Sequence, residues 1–145
     1  MSSIVAVSSL IFGKQIVVQT ISSTSSSIIS TIKTISDNYD NETKELFNRL
    51  DIKFKLEIIT KYIESIEFNK HLDNKSIDLC VEYIKEILIM IENEVNTLEK
   101  EIEIYKNRWV KNLSSGSFKT QFTNIESHVN ILEQRFNILI KILKN

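Results

Sequence analysis

The feature that most constrains the fold is an apolar repeat that runs from Ile77 to Trp109. Its members recur at alternating steps of four and three residues, which is the repeat of a coiled-coil helix. No Gly or Pro interrupts it. The repeat therefore predicts one long helix with a single apolar seam, formed by Ile77, Val81, Ile84, Leu88, Ile91, Val95, Leu98, Ile102, Tyr105 and Trp109.

The composition also favours a few long helices. The 145 residues include no Pro and only 2 Gly, so the turn residues that many short strands require are scarce. Apolar residues make up 42% and charged residues 26%, which is typical of a globular chain rather than a disordered one. We predict a single all-α domain over residues 1–145, an up-down-up-down four-helix bundle with long, coiled-coil-like helices.

The first predicted helix, residues 1–36, is low in charge and rich in Ser, Thr and Ile. Lys14 and Lys33 are its only charged side chains. A heptad pattern continues through it, with Lys14 and Ser25 at polar positions of the seam. The serine-rich run 22–27 is either a flexible linker or a helix face of small side chains that lets a neighbour approach closely. Ile21 and Ile28 keep the same phase on both sides of the run, so we predict a helix.

The opening of this helix, from Ile4 to Phe12, is apolar on nearly every side. The run is shorter than the roughly 20 apolar residues that span a membrane, and it lacks the basic start of a secretory signal. It is either a helix end buried by the bundle or by another subunit, or a segment that inserts into a membrane or a host assembly. The candidate contact residues are Ile4, Val5, Val7, Leu10, Ile11 and Phe12.

The second predicted helix runs from about Glu42 to about Asn69, after a turn rich in Asp and Asn. It has two apolar stripes, which predicts contact with at least two other helices. One stripe is Leu46, Leu50, Phe54, Ile58 and Tyr62, and the other is Ile52, Leu56, Ile59, Ile63 and Ile66.

The third and fourth predicted helices form an antiparallel hairpin. The fourth helix repeats the heptad pattern from Phe118 to Leu143, after a short turn that contains Gly116. Folding the pair at this turn predicts that Trp109 faces Phe118 and Tyr105 faces Phe122. The first half of the third helix also has apolar residues off its seam, which we expect other helices or a partner to enclose: Cys80, Tyr83, Ile87, Ile89 and Met90.

Catalytic and ligand-binding motifs are weak in this sequence. Glu64, Glu67 and His71 share helical spacing, either as metal ligands or as an imidazole near a helix end whose dipole favours positive charge. Without a second ligand cluster we favour the latter and predict no metal, no other cofactor and no small-molecule substrate. Cys80 lies within the apolar repeat, as a small buried hydrophobe does. A net charge of -1 argues against a nucleic-acid binder.

Basic and aromatic residues surround the predicted hairpin turn: Lys106, Arg108, Trp109, Lys111 and Lys119. They suggest a contact with an anionic surface such as lipid, phosphate or an acidic protein. The alternative, which we favour, is that these cations offset the dipole at the helix end while the aromatic rings pack inward.

Taken as a whole, the sequence predicts a non-enzymatic structural or scaffolding protein that packs through its helices into a homo- or hetero-oligomeric assembly. Its partners are copies of itself or larger proteins, and a virion component is one example. The alternative is a membrane-active helical protein whose apolar first helix inserts into or lies on a bilayer.

Overall fold

The protein is mostly helical in the part of the chain that its computed structural model describes, residues 2–38, 41–107 and 118–144. A short 3-10 helix at Phe68–His71 joins the third and fourth α-helices, and no strand occurs in these ranges. The predicted all-α class is therefore confirmed. The α-helices are α1 (Ser2–Asn38), α2 (Asn41–Leu50), α3 (Ile52–Glu64), α4 (Lys75–Asn107) and α5 (Lys119–Lys144).

Helix α1 continues without a break through the serine-rich run, as the phase of the isoleucines predicts. The side chains of Thr24 and Ser25 are buried in the helix interface. Small hydroxyl residues therefore serve here as a packing face rather than as a linker. The buried apolar residues of α1 follow the heptad pattern: Ile21, Ile28, Ile32 and Ile35.

The prediction of one helix from Glu42 to Asn69 is wrong, because the helix breaks at Asp51 and ends at Glu64. Asp51 adopts the left-handed conformation, with φ 52° and ψ 42°. This residue resets the helical phase, so the buried face passes from Leu46 and Leu50 to the stripe that begins at Ile52. The next two residues of the first stripe turn outward, with Phe54 57% exposed and Ile58 48% exposed, whereas Tyr62 packs against the core.

Substitutions at Asp51 test this break. Replacing Asp51 by Val should lower the free energy of unfolding by about 1–2 kcal/mol, because a β-branched side chain is strained in the left-handed region. Replacing it by Gly should cause no loss, since Gly adopts positive φ freely. Chemical denaturation followed by helical circular dichroism measures both variants, and equal stability of the two would contradict the left-handed conformation.

Helix α4 begins with a side-chain cap at Asn74. The side-chain oxygen of Asn74 accepts hydrogen bonds from the backbone N–H groups of Ser76 at 3.1 Å and Ile77 at 3.3 Å. These bonds satisfy donors that the first turn of a helix leaves unpaired. From there α4 buries its seam continuously, with Ile77, Val81, Ile84, Leu88, Ile91, Val95, Leu98 and Ile102 all enclosed.

The helices α1 and α4 lie side by side and run in the same direction. Lys14 of α1 contacts Asp78 of α4, and further along Thr31 lies 3.3 Å from Asn96. Helix α3 lies on the other flank of α1, where the hydroxyls of Ser25 and Thr60 are 3.0 Å apart. Helix α1 therefore contacts both α3 and α4.

Helix α5 packs against α4 and against the α2–α3 segment. Its direction matches that of α2–α3, since Arg49 pairs with Glu126 and Tyr62 contacts Phe136, with ring centroids 5.3 Å apart. Lys55 adds an ion pair to Glu133 at 2.8 Å. The four segments α1, α2–α3, α4 and α5 thus contribute to one apolar core.

Helix α5 runs antiparallel to α4, but the predicted register between them is wrong. Tyr105 contacts Phe118, with ring centroids 5.8 Å apart, whereas the partner predicted for Tyr105 was Phe122. The side-chain amide of Asn124 lies 3.3 Å from the carboxylate of Glu94. This contact is also shifted from the predicted register toward the start of α5. Every layer of a heptad seam presents an apolar residue, and successive layers are three or four residues apart, so the pattern selects the facing sides of two helices but not which layers meet. Trp109 lies outside the described residues.

Candidate functional site

The clearest candidate for an interaction site is an exposed apolar surface on the outside of α4 and α5. Leu79, Tyr83 and Met90 recur at steps of four and seven on α4, so they share one side of that helix. They are 57%, 44% and 47% exposed, respectively. Ile138 of α5, at 51%, lies one turn beyond Arg135. We call Leu79, Tyr83, Met90 and Ile138 the α4–α5 apolar face.

Arg135 joins the two helices at this face. Its guanidinium lies over the ring of Tyr83, 5.1 Å from the centroid, and its Nη1 donates to the backbone carbonyl of Tyr83 at 2.6 Å. A cation above an aromatic face is favourable, and the guanidinium also orients the ring. The tyrosine is therefore held in place while close to half of its surface stays accessible.

The expectation that the off-seam apolar residues of α4 are enclosed holds for only part of them. Ile87 is 1% exposed, and Cys80 is partly buried, which raises the pKa of its thiol. Tyr83, Ile89 and Met90 stay exposed, so the other described helices do not enclose them. For these three residues the expected enclosure by a partner stays a prediction.

Helix α1 is joined to the bundle by a buried charge at one end. Lys14 is only 8% exposed, and its Nζ lies 3.0 Å from Oδ1 of Asp78. The same ammonium donates to the carbonyl of Leu72 at 3.4 Å and lies 5.5 Å from the ring centroid of Phe68. Among described groups Oδ1 has no hydrogen-bond partner of acceptable geometry, so the contact to Asp78 is mainly ionic.

Clefts flank α1 along most of its described length. A cavity of about 250 Å³ lies beside Lys14 and Asp78, between α1 and α4. Three more clefts follow the other flank: one of about 480 Å³ at Gln15, one of about 460 Å³ at Ser25 and one of about 340 Å³ at Ser36. Small and polar side chains on α1 leave this space unfilled.

The predicted apolar contact residues Ile4, Val5, Val7, Leu10, Ile11 and Phe12 belong to the first turns of α1. Their side chains lie outside the described part of the chain. The predicted contact through these residues therefore stays a prediction.

The predicted basic tip is only partly described. Lys106 donates a hydrogen bond to the backbone carbonyl of Asn38 at 2.5 Å, so this cation binds the C-terminal end of α1. Lys119 is exposed in the first turn of α5. Arg108, Trp109 and Lys111 lie outside the described residues. An anionic-surface site at this end stays a prediction.

The three residues that the sequence offered as metal ligands do not lie on one helix in the structure. Helix α3 ends at Glu64, so Glu64, Glu67 and His71 do not share a face of one helix. Lys70 pairs with Glu67 at 2.7 Å, and this hydrogen bond lowers the pKa of the Glu67 carboxyl. Over residues 2–38, 41–107 and 118–144, no group of three His, Cys, Asp or Glu residues is placed to hold a metal ion.

A bidentate ion pair joins α2 to α5. The two guanidinium nitrogens of Arg49 each donate to one carboxylate oxygen of Glu126, both at 3.2 Å. The hydrogen bond, and then the attraction of opposite charges, holds the pKa of the Glu126 carboxyl below its ordinary value. Because both side chains are well exposed, solvent screens the pair and its contribution to stability is small.

This pair predicts a small pH dependence. The carboxyl of Glu126 has a lower pKa when folded than when unfolded, so its contribution is present at neutral pH and is lost as the pH falls below its ordinary value. Glu126→Gln should be less stable than wild type at neutral pH, and the difference should shrink in acid, as the pH falls below the ordinary pKa of a glutamate and through the lowered pKa of the folded state. Denaturant titrations at neutral and acid pH measure this. Arg49→Met should give the same pattern, and a difference that persists in acid would contradict the assignment.

Comparisons with known proteins add a distant likeness. No family model matches the chain, and no solved structure matches it. It resembles a viral protein. The similarity is to the uncharacterized protein L717 of Acanthamoeba polyphaga mimivirus, at 24% identity over 84% of this chain and 72% of that protein. Within the described residues, no helix is both long and apolar enough to cross a membrane.

Proposed function

We propose that the protein is a non-enzymatic structural component of an assembly and that it acts by packing its helices against other subunits. In this proposal the body is an up-down-up-down bundle with coiled-coil-like seams, an arrangement that agrees with the pairwise helix directions described above. The likeness to a mimivirus protein supports a viral source and makes a virion component the favoured example.

The observation that carries the proposal is the α4–α5 apolar face. Leu79, Tyr83, Met90 and Ile138 are large apolar side chains, each more than two fifths exposed, on one side of a small bundle. Scattered exposed apolar residues are normal on a protein surface, whereas a grouped set indicates an interaction site. Arg135 fixes Tyr83 within it, and ordered aromatic residues are frequent anchors of protein interfaces.

The experiment measures the mass of the full chain by size-exclusion chromatography with light scattering, from low to high concentration. We expect species heavier than the 16.9 kDa monomer. Leu79→Glu/Met90→Glu should weaken association, or weaken capture of a source protein if the assembly is hetero-oligomeric. The matched control is Phe54→Glu/Ile58→Glu, which changes exposed apolar residues on α3. A strict monomer that captures no partner would contradict the proposal.

The second candidate, membrane activity of α1, draws on a different observation. Helix α1 carries only Lys14 and Lys33 as charged side chains before Asp37, and Ile16 is 48% exposed on its surface. In this proposal α1 leaves the bundle and lies on or inserts into a bilayer. A Ser25→Cys/Thr60→Cys disulfide would hold α1 in place, because the native hydroxyls are 3.0 Å apart. Flotation of the reduced chain with liposomes, but not of the oxidised chain, is the expected result; equal flotation contradicts it.

A further inference from the structure

We propose that the α4–α5 apolar face pairs two copies of this chain about a two-fold axis that crosses α4 and α5 near the level of Tyr83. In this dimer the α4 helices of the two chains lie antiparallel on each other, and so do the two α5 helices. The inference rests on the proposed function, because it names a second copy as the partner and fixes how that copy lies on the same face.

The exposed apolar residues of α4 are spaced evenly about one level of the helix. Leu79 and Met90 are separated by about three turns, so they share one side of α4 and lie roughly 16 Å apart along its axis. The midpoint between them falls between Tyr83 and Glu86. A two-fold axis through this midpoint therefore places Leu79 of each chain against Met90 of the other, so that both apolar side chains are covered.

Helix α5 has the same arrangement about the same level. Ile131 and Ile138 are about two turns apart on one side of α5, where Ile131 is partly buried and Ile138 is exposed. Arg135 lies next to their midpoint, and its hydrogen bond to the Tyr83 carbonyl brings that midpoint to within one turn of the midpoint on α4. One axis therefore relates the apolar residues of both helices, as an interface between identical surfaces requires.

An acid and a base on this face lack a partner of opposite charge. Glu86 is exposed between Tyr83 and Met90, and it takes part in none of the ion pairs within residues 2–38, 41–107 and 118–144. Arg135 donates to a carbonyl and covers an aromatic ring, but no carboxylate of the same ranges binds it. A guanidinium has five N–H donors, so Arg135 can accommodate a carboxylate and keep its present bond.

The proposed axis brings these two charges together. Reversal of α4 about the midpoint exchanges the levels of Tyr83 and Glu86, so Glu86 of each chain faces the Tyr83 ring and the Arg135 guanidinium of the other. Two identical ion pairs result. An axis parallel to the helices would leave every residue at its own level, with Glu86 roughly 4.5 Å further along α4 than the Arg135 contact. Charge complementarity therefore favours the axis that crosses the helices.

The single variants Glu86→Arg and Arg135→Glu test this pairing. In either variant alone, both pairs between the chains join like charges, so we expect the Kd of the dimer to rise about tenfold or more. In an equimolar mixture each variant supplies the charge that the other lacks, so heterodimers should form with a Kd close to that of wild type. Light scattering over a range of concentrations measures the association, and native mass spectrometry identifies the heterodimer.

The matched control is Glu101→Arg, which makes the same charge change at an exposed position of α4 beyond the apolar face. Alone it should dimerise as wild type does, and mixed with Arg135→Glu it should not restore association. Equal recovery with Glu101→Arg and with Glu86→Arg would overturn the proposal, because net charge rather than a specific pair would explain it. Circular dichroism checks that each variant keeps its helical content.

Cysteine cross-linking tests the axis without any change of charge. In a Cys80→Ser background, Leu79→Cys and Met90→Cys should give a covalent dimer when the two proteins are mixed and oxidised, and neither should do so alone, because each residue lies against the other and not against itself. A covalent dimer from Leu79→Cys with Ile138→Cys, and none with Met90→Cys, would overturn the crossing axis.

The remaining outcomes separate this inference from the proposed function. If the wild type forms oligomers but the charge variants do not restore each other and positions 79 and 90 do not cross-link, this pairing is wrong and assembly through another surface stands. If the wild type is monomeric at every concentration, the pairing is also wrong, and only assembly with a different protein remains for the proposed function.

Discussion

Replacing Leu88 by Ala is expected to lower the free energy of unfolding by about 3 kcal/mol. Leu88 is fully buried on the seam of α4, in the core that the helices share. The substitution removes apolar packing and leaves a cavity that a helical interface can close only in part. Denaturant-induced unfolding followed by circular dichroism, with the slope checked for two-state behaviour, measures the loss.

Leu79→Ala is the matched control, because it makes the same chemical change in the same helix. Leu79 is 57% exposed on the α4–α5 apolar face, so its loss in a monomer should be about 0.5 kcal/mol or less. Equal losses at the two positions would contradict the assigned orientation of α4. A larger loss for Leu79→Ala at high protein concentration would instead indicate that a partner copy covers this residue.

The orientation of α4 could be predicted from the sequence because periodicity selects a helix face. Each described member of the seam from Ile77 to Ile102 is buried. The helical state of the serine-rich run followed from the same logic, since Ile21 and Ile28 stayed in phase across it. In these segments the amphipathic pattern outweighs the low helix propensity of Ser, Thr and Ile.

The break at Asp51 was missed although its signal was present. Two apolar stripes on one predicted helix were assigned to two neighbours, whereas one buried stripe ends near Leu50 and the other begins at Ile52. A change of phase next to an Asp, which tolerates positive φ, indicates a break. The register between α4 and α5 could not be predicted from the sequence, because Tyr105 fits the apolar seam equally well when it faces Phe118 or Phe122.

The candidate site was only partly predictable for a related reason. The sequence identified Tyr83 and Met90 as apolar residues off the seam, but not that the rest of the bundle would leave them exposed. Whether a neighbouring helix covers a residue depends on the packing arrangement, which periodicity does not set. Lys14 was recognised as a polar position in the first helix, yet its partner Asp78 lies 64 residues away and is reached only because α1 and α4 are parallel neighbours.

Replacing Lys14 by Ala is expected to lower the free energy of unfolding by about 2 kcal/mol. Breaking a fully buried ion pair costs about 3–5 kcal/mol, because one charge is left without its partner. The side chain of Asp78 is 33% exposed, so water compensates part of this loss. The Lys14 side chain also gives up its interaction with the ring of Phe68. Denaturation of Lys14→Ala beside wild type measures the total effect.

A double-mutant cycle separates the ion pair from the packing. Lys14→Met keeps the length of the side chain and Asp78→Leu removes the charge left behind, so the double variant should lie within about 1 kcal/mol of wild type. Each single variant should be less stable than the double. Additive losses would mean that Lys14 and Asp78 act independently.

A stable double variant would instead indicate that the pair contributes specificity rather than stability, because a charged position in an apolar seam fixes how α1 aligns with α4. If the pair has that role, we expect the double variant to form a mixture of oligomers and the wild type to form a single species.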